Sequence, residues 1–533
     1  MRGALRRTRP TSPTDRWRDY LAGVEPALVA RPRLHRFALP PVLGDPDTRP
    51  LPLAVWIDGD GDREGDAATR TRAALQRGSV APSMLLGGPL KEALAGTRGE
   101  RVMLVRAGDE PAPLALERLG QAAALAPDAA IITCDEDELS PLRARRFPRF
   151  RPGPSPDRWL ACDDSGALLV VAREPAGALL GELAGGDAWR HELALNLAGR
   201  ASERHAHVPM LLCHRAGEGP EDPPLPAATL ARTLKRWAPR ARVEQIGALR
   251  RIRRPLVGEP SVELIVCFRD QPELLSGCVG SILADSAYER LRVTLVDNGS
   301  TDAETSALLA KLAADARVRV LSDARPFNFA ALNNLAAASS EADALLFLNN
   351  DTEVVDRDWI ATLLEEALRP EVGAVAPLLL YPDGTVQHAG AAIGLHDYAG
   401  HPFAGLMPDA DTPFGQADAG TRNWLAVTAA CMMVQRSKFV AAGGFDESFV
   451  VAGNDVDLCL RLTSAGHRSL CVPHTRLLHA ESRSRGSHVD PGDFAASERS
   501  YGEFRTIGDP FYNPNLTLHA TDCRVRTPDE TPA

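Results

Sequence analysis

VELIVCFRD (262–270), LRVTLVDNGSTD (291–302) and ALLFLNNDTEV (344–354) are three short apolar runs, each closed by a cluster of polar residues. Buried parallel strands have this pattern when they deliver a site at their carboxyl ends. Helical stretches separate them: ELLSGCVGSILA (273–284), AETSALLAKLAA (303–314) and, after the further strand VRVLS (318–322), AALNNLAAASS (330–340). Strands alternating with helices imply parallel βαβ units with right-handed crossovers. No GxGxxG or GxxxxGK[ST] follows any of these strands, which lowers the weight of two nucleotide-binding classes.

Working outward, this α/β unit extends over 259–505. A second α/β unit precedes it at 51–220, with strands in LPLAVWID, ERVMLVRAG, AAIITCDED and GALLVVARE. Residues 1–50 read as an irregular lead-in, 221–258 as a linker and 506–533 as a tail with little pattern. At 533 residues the chain has room for two to four domains. The net charge of −10 argues against a general nucleic-acid binder. Nine dispersed cysteines without a CxxC pair fit a reducing compartment better than a zinc site or a disulfide scaffold. No apolar run is long enough to span a bilayer, and the basic N-terminus lacks the apolar centre of a signal peptide. The expectation is a cytoplasmic protein, with peripheral membrane contact through Arg2, Arg6, Arg7 and Arg9 left open beside the reading of a solvated tail.

Four places carry the chemistry. Asp297, at a strand end in VDNGSTD, suits hydrogen bonding to a base or ribose, and equally a capped turn. Asn349, Asn350 and Asp351 follow an apolar strand, where a carboxylate beside carbonyl-type groups suits Mg²⁺ or Mn²⁺; the rival is an Asx turn before a helix. Asp455 and Asp457 open a helix in GNDVDLCLRLTSAG (453–466), as a general base beside a cleft or as acids stabilising a first turn. His479 ends TRLLH and is able to join Asp351 at a metal or diphosphate.

VDNGSTD, PFNFAALNN, LLFLNNDTEV, GGFDESF, NDVDLCLRL and the late histidine, in this order, resemble the family 2 glycosyltransferases with a GT-A fold, bacterial rhamnosyl and O-antigen transferases in particular. The resemblance covers about 259–490. It implies an inverting transfer from a nucleotide-diphosphate sugar, deoxythymidine-diphosphate rhamnose or a UDP-sugar, to a hydroxyl of a cell-surface polysaccharide or lipid-linked glycan. On the same footing Asp270 and Asp297 hold the nucleoside, and Asn328, Asn349 and Asn350 line the donor. Asp351 binds a divalent metal, His479 contacts the metal or the diphosphate, Asp455 is the acceptor-activating base, and Trp424 lies near donor sugar and acceptor, with a core tryptophan as the rival. Two departures stand out: Asn454 replaces the usual Glu before the base, and Cys267-Phe268 replaces Pro-Thr after the first strand. A non-catalytic sugar-nucleotide or glycan-binding scaffold is the alternative.

The first unit echoes the second. VMLVRAGDEPAPLALERL parallels LLFLNNDTEVVDRDWIATL, GALLVVARE parallels CMMVQRS, GGDAWRHELALNLAG parallels GNDVDLCLRLTSAG, and PMLLCHR parallels TRLLHAE. The metal triplet has become Ala107-Gly108-Asp109 and the base pair Asp187-Ala188, followed by His191-Glu192. WIDGDGD around Asp58 is a poor substitute for VDNGSTD. ITCDEDEL and RFRPGPSPDRWL resemble first-domain segments of tandem family 2 transferases. The reading is a degenerate GT-A-like domain. The rival is a second active site using Asp135, Glu136 and Asp137, although acid runs are more usually solvated loops.

Overall fold

The computed structural model describes residues 13–29, 33–36, 42–43, 48–59, 66–186, 188–199, 204–216, 225–246, 249–480 and 490–530. Arg2, Arg6, Arg7, Arg9, Asp187 and residues 60–62 of WIDGDGD lie outside them.

Two mixed sheets carry the chain. The first uses β1 (Ala54–Asp58), β2 (Met84–Leu86), β3 (Arg101–Arg106), β4 (Glu110–Pro111), β5 (Ile131–Leu139), β6 (Arg145–Arg149), β7 (Leu169–Ala172) and β8 (His205–Ala216). Its helices include α1 (Pro13–Asp19), α2 (Asp66–Gln76), α3 (Ala115–Leu125), α4 (Pro156–Trp159), α5 (Trp189–Ala198) and α6 (Ala227–Trp237). The second uses β9 (Val262–Phe268), β10 (Leu291–Asp297), β11 (Val318–Ser322), β12 (Ala344–Asn349), β13 (Thr352–Val354), β14 (Val372–Leu380), β15 (Val386–His388), β16 (Arg422–Trp424), β17 (Cys431–Gln435) and β18 (Arg468–His479). Around it lie α7 (Pro272–Asp285), α8 (Ala303–Leu312), α9 (Phe329–Ala338), α10 (Trp359–Ala367), α11 (Asn454–Ser464) and α12 (Pro491–Ile507).

The second sheet runs β11-β10-β9-β12-β17-β14-β18-β13, with β15 on β14 and β16 on β18. Its first four strands are parallel, as the βαβ pattern requires, and β17 then enters antiparallel. Side chains alternate between two cores. Leu264 and Val266 of β9 pack in one cluster with Leu275 and Val279 of α7 and Leu363 of α10, while Ile265 packs in the other with Leu332 and Ala336 of α9. Burial on both faces is why the strands read as unbroken apolar runs.

The first sheet repeats this plan. Beyond Arg33–Arg36 and Val42–Leu43, which extend it outside β8, its path is β8-β5-β7-β3-β1-β2, with β4 on β8 and β6 on β5. Each of these pairings has a counterpart of the same sense in the second sheet, in the same chain order. The second sheet adds the outer strand β11, whereas β2 has no such neighbour among the described residues. The two domains share one α/β architecture.

Three sequence expectations are corrected. The lead-in is helical over Pro13–Asp19, and Tyr20 and Val24 just beyond are buried. Within the 221–258 segment, α6 puts Leu230 and Leu234 into the first domain's core, and Arg242–Ile246 pairs with Leu249–Arg253 as a hairpin. The tail is the third. Asn513 donates to Asp135 Oδ2 (2.8 Å) and to the Arg151 carbonyl (3.0 Å), and Tyr20 donates to Asn515 Oδ1 (2.6 Å). The same tail accepts from the His396 amide at the Leu518 carbonyl (2.8 Å) and from the Phe403 amide at the Thr521 carbonyl (2.6 Å) in the second domain, so a stretch without periodicity is a clamp across both domains. Asn513 is fully buried, so Asn513→Ala leaves the Asp135 carboxylate short of a donor. Loss of a buried hydrogen bond to a charged group predicts about 1.5–3 kcal/mol of destabilisation, measured by denaturant unfolding of the full chain.

Candidate active site

The carboxyl ends of β9, β10 and β12 form the floor. Phe268 is in register with Asp297, and Cys267 with Asn349. Asp297 and Asn349 therefore stand two strand spacings apart, about 10 Å. Asp297 Oδ1 accepts from the Ser300 amide (2.8 Å), which is the capped turn that Asp-Asn-Gly-Ser favours. Asp270 ties the neighbouring loops together: its Oδ1 accepts from the amides of Thr301 (2.9 Å) and Asp302 (3.0 Å). Those amide bonds, Asp302 first, lower its pKa. Asp270 and Gln271 both adopt positive φ, at 52° and 57°, which is uncommon for residues other than glycine. Asn350 sits half-buried in the turn after β12.

Asp351 and His479 come together through β13 and β18, which pair Thr352 with His479, while the Ala480 amide donates to the Asp351 carbonyl (3.0 Å). His479 Nε2 lies 3.3 Å from Asp351 Oδ1 and 3.3 Å from Asn349 Nδ2. Both Asp351 and His479 side chains are largely buried, and His479 Nδ1 is a buried polar atom without a hydrogen-bond partner among the described residues. Two ligands at right angles on one cation, each about 2.1 Å from it, stand about 3 Å apart. The donor set thus fits a divalent cation. No group of three or more His, Cys, Asp or Glu suited to a metal occurs among the described residues.

Asp455 sits in the first turn of α11, half-exposed. Its Oδ2 accepts from the Ala429 amide (3.1 Å) and its Oδ1 from the Val456 amide (2.8 Å). The buried Asp493 carboxylate accepts from the amides of Val450 (2.6 Å), Val451 (2.9 Å) and Ala452 (2.9 Å), fixing the loop that leads into α11. Asn454, the departure from the usual Glu, donates to the Val451 carbonyl (3.2 Å) and belongs to the same support. Asp457 is buried, paired with Arg461 (2.6 Å) and bonded by Ser500 (2.7 Å), which gives it a structural task.

Two candidates leave the site. Both ends of the Asn328 amide are used: Oδ1 caps α9 through the Ala331 amide (2.8 Å), and Nδ2 donates to the Glu447 carbonyl (2.8 Å). With Asn334, which donates to the Phe445 carbonyl (2.9 Å), it straps PFNFAALNN to GGFDESF. Trp424 is a core residue, 1% exposed, under the Arg422 guanidinium (4.6 Å) and against Gly390. Gly390 has φ 121°, and a Cβ there would stand 2.2 Å from the indole. Gly390→Ala is therefore expected to cost about 2–3 kcal/mol, seen as a lowered thermal midpoint.

His388 is what sequence reading missed. Fully buried, it accepts from the Thr428 amide through Nε2 (3.4 Å), so its proton is on Nδ1, directed to His401 Nδ1 (3.0 Å). Burial first, then His401 and His479, push its pKa well down. It steadies the loop whose next amide, Ala429, holds Asp455. QHAG (387–390) offered no local signal beyond a lone histidine in an apolar stretch.

The equivalent place in the first domain is filled. Register puts Glu110 opposite His214, as Thr352 is opposite His479. Asp109 and His214 thus occupy the positions of Asp351 and His479. Here α2 packs over the turn: the Gly108 amide is taken by the Ala67 carbonyl (3.0 Å) and Thr71 Oγ1 (2.9 Å), and Thr71 also donates to the Asp109 carbonyl (2.8 Å). Asp109 Oδ1 accepts from the Ala216 amide (3.0 Å), and His214 bonds Asp137 (2.6 Å). Ala188 stands where Asp455 does, at the start of α5. His191 bonds the Trp159 carbonyl (2.7 Å), and Glu192 pairs with Arg232 (2.8 Å). The run Asp135-Glu136-Asp137 is a buried strand and not a solvated loop. Asp135 meets His207 (3.1 Å), Glu136 meets Arg151 (2.8 Å), and Asp137 meets Arg145 (2.6 Å). Burial alone would raise the Glu136 pKa, but Arg151 and Arg215 bring it down to about 2.

The family model described as glycosyl transferase family 2 matches residues 263–434. The chain is 42% identical over 450 residues to the O-antigen biosynthesis protein RfbC of Myxococcus xanthus, covering 82% of this chain and 35% of that protein. That alignment is longer than the second domain alone, and the chain spans about a third of this relative's length. It is 31% identical over 245 residues to the N-acetylglucosaminyl-diphospho-decaprenol L-rhamnosyltransferase of Mycobacterium tuberculosis, covering 40% of this chain and 73% of the relative. Among solved structures, a mannosyltransferase of Pyrobaculum calidifontis in complex with GDP-Man and Mn²⁺ aligns at 18% identity and TM-score 0.35, over 47% of this chain and 68% of that one.

Proposed function

The chain belongs to glycosyltransferase family 2, and on that premise we propose that its second domain transfers a sugar, with inversion, from a nucleotide-diphosphate donor to a glycan hydroxyl. The observation that carries this reading is the placing of Asp351 and His479 beside Asn349 at the end of β12, with Asp455 bonded to the loop that enters the adjacent strand β17. In this reading Asp351 and His479 hold a divalent cation, which when bound draws charge off the diphosphate leaving group. Asp270 and Asp297 face the nucleoside. Asp455, its carboxylate oriented by two backbone amides, takes the proton of the acceptor hydroxyl as that oxygen attacks the anomeric carbon opposite the leaving group. Holding donor and acceptor in line supplies much of the rate.

The acceptor is a growing cell-surface polysaccharide or lipid-linked glycan, and rhamnose is the favoured sugar, by likeness to the relatives' printed names. No helix among the described residues is long and apolar enough to cross a membrane. In this reading a lipid-linked acceptor is met at the bilayer surface. In this reading the first domain is a catalytically silent repeat: Ala188 has no group to accept a proton, and Ala67 and Thr71 of α2 take up the backbone of the Gly108-Asp109 turn.

The test is product analysis with deoxythymidine-diphosphate rhamnose and UDP-sugars in the presence of Mn²⁺ and a polysaccharide or lipid-linked acceptor. Release of free nucleoside diphosphate with sugar transfer is expected. Release of pyrophosphate, or binding without turnover, would overturn the reading in favour of a nucleotidyltransferase or a scaffold.

A further inference from the structure

Phe494 lies in the first turn of α12 and is 45% exposed. A phenyl ring in that position gains little from burial, and its neighbours give it another use. The next residue back, Asp493, is the carboxylate that binds the amides of Val450, Val451 and Ala452 and so sets the entry to α11. The turn that carries Phe494 therefore also fixes the loop before Asp455.

The ring is one member of an aromatic group. It lies 6.0 Å from the Tyr398 ring at an interplanar angle of 25°. The Arg505 guanidinium stands 4.8 Å from the Phe494 centroid and 5.6 Å from that of Tyr398. Arg505 is held there by Glu498 and by Ser497 Oγ (2.5 Å). Tyr398 donates to the Ala452 carbonyl (3.1 Å). Its hydroxyl is so close to Gly453, φ 90°, that a Cβ there would stand 2.4 Å from it. Gly453 caps α11 two residues before Asp455. Burial raises the Tyr398 pKa, and the Asp455 charge adds to the rise, so the two groups are within electrostatic range. Contacts thus run from the Asp455 turn through Gly453 and Tyr398 to an exposed aromatic face.

The rim of that face narrows the ligand class. Arg505 is already paired with Glu498, whose side chain is exposed, so a phosphate meets a compensated cation. A purely apolar chain would desolvate the same ion pair. A pyranose has C–H groups on one face, which stack on an aromatic ring, and hydroxyls around its edge, which bond carboxylate and guanidinium. In the proposed reaction the donor lies over Asp297 and Asn349, so a sugar on the Asp455 side belongs to the acceptor.

We propose that Phe494, with Tyr398 and Arg505 beside it, forms an acceptor subsite, stacking on a pyranose of the acceptor glycan while Asp455 meets the reacting hydroxyl. This assignment rests on the reading of Asp455 as the base.

The test compares Phe494→Ala and Phe494→Trp with wild type, with thermal unfolding as the folding control. One readout is transfer to the polysaccharide acceptor. The other is saturation-transfer NMR with methyl α-rhamnopyranoside and methyl N-acetyl-β-glucosaminide. Where transfer is seen, the acceptor KM decides. Phe494→Ala is expected to raise it up to about tenfold, with kcat, donor KM and acceptor-free hydrolysis of the donor unchanged, and Phe494→Trp to restore it. An unchanged acceptor KM overturns the subsite. A donor KM that rises in parallel, or a loss that Trp does not restore, also overturns it and makes the ring a support of the site. If wild type transfers no sugar, the transfer reading fails and the glycosides decide the subsite alone. A signal lost in Phe494→Ala and kept in Phe494→Trp sustains it, and no signal, or one that Phe494→Ala keeps, overturns it.

Discussion

Replacing Asp455 by Asn is expected to lower turnover by about 10²–10⁴-fold, or about 3–5 kcal/mol of barrier, while nucleoside diphosphate binding stays unchanged. The carboxamide is nearly the same size but takes no proton. The fold has little reason to fail. Asp455 is half-exposed, and the entry to α11 is held independently by Asp493 and Asn454. The neighbouring acid is the control. Asp457→Asn removes the pairing with Arg461, and it should lower thermal stability more than it lowers turnover per folded molecule. Steady-state kinetics on both variants, with calorimetry for nucleotide binding, separates chemistry from support. Full turnover in Asp455→Asn would remove it from the base role.

Asp157→Ala is expected to be the most damaging single change to stability away from the site, about 3–5 kcal/mol. Asp157 is buried in α4 of the first domain and ion-paired to three arginines of the rest of the chain: Arg369 after α10 (2.7 Å), Arg468 at the start of β18 (3.1 Å) and Arg254 before β9 (3.6 Å). Glu366 and Glu371 share Arg369 (2.5 and 2.9 Å), so removal leaves the guanidiniums partly paired and places the cost toward the lower end. Burial alone would raise the Asp157 pKa. The attraction of Arg369, Arg468 and Arg254 outweighs it and holds the carboxyl well below the ordinary range. A depressed folded pKa stabilises above the unfolded value near 3.9, and that contribution fades as pH falls toward the folded value. The gap between wild type and Asp157→Ala in thermal unfolding should therefore be constant from neutral pH to about 5, and narrow only below about 4. A gap that closes between pH 8 and 6 would contradict this account of the interface.

The parts legible in the sequence were those written in short-range pattern. Apolar runs ending in polar clusters gave the strands of the second sheet, and the paired echoes gave a first domain whose strand order proves to be the same. Asp351 and His479 were legible because each closes such a run; their distance is set by β13 pairing with β18. What stayed hidden depends on partners far along the chain. Asn328 looks like a donor contact until its amide is found capping α9 and strapping a loop 119 residues away. Trp424 reads as either a substrate neighbour or a core residue until Gly390 is seen to make room for it. Acids 135–137 look solvated because their partners, Arg145, Arg151 and His207, are spread across other elements. The tail has no periodicity because its work is done by Asn513 and Asn515 against Asp135. RFRPGPSPDRWL is the clearest case: its Asp157 is the centre of the interdomain ion network.

The central claim is that the second domain carries the donor site and the first does not, and its most direct test is nucleotide binding by calorimetry. Uridine, deoxythymidine and guanosine diphosphates are titrated with and without Mn²⁺ into wild type, Asp351→Ala and Asp109→Ala. The account predicts Mn²⁺-dependent binding of one nucleotide, lost in Asp351→Ala and kept in Asp109→Ala. Binding that survives Asp351→Ala and disappears in Asp109→Ala would contradict it and move the donor site to the first domain.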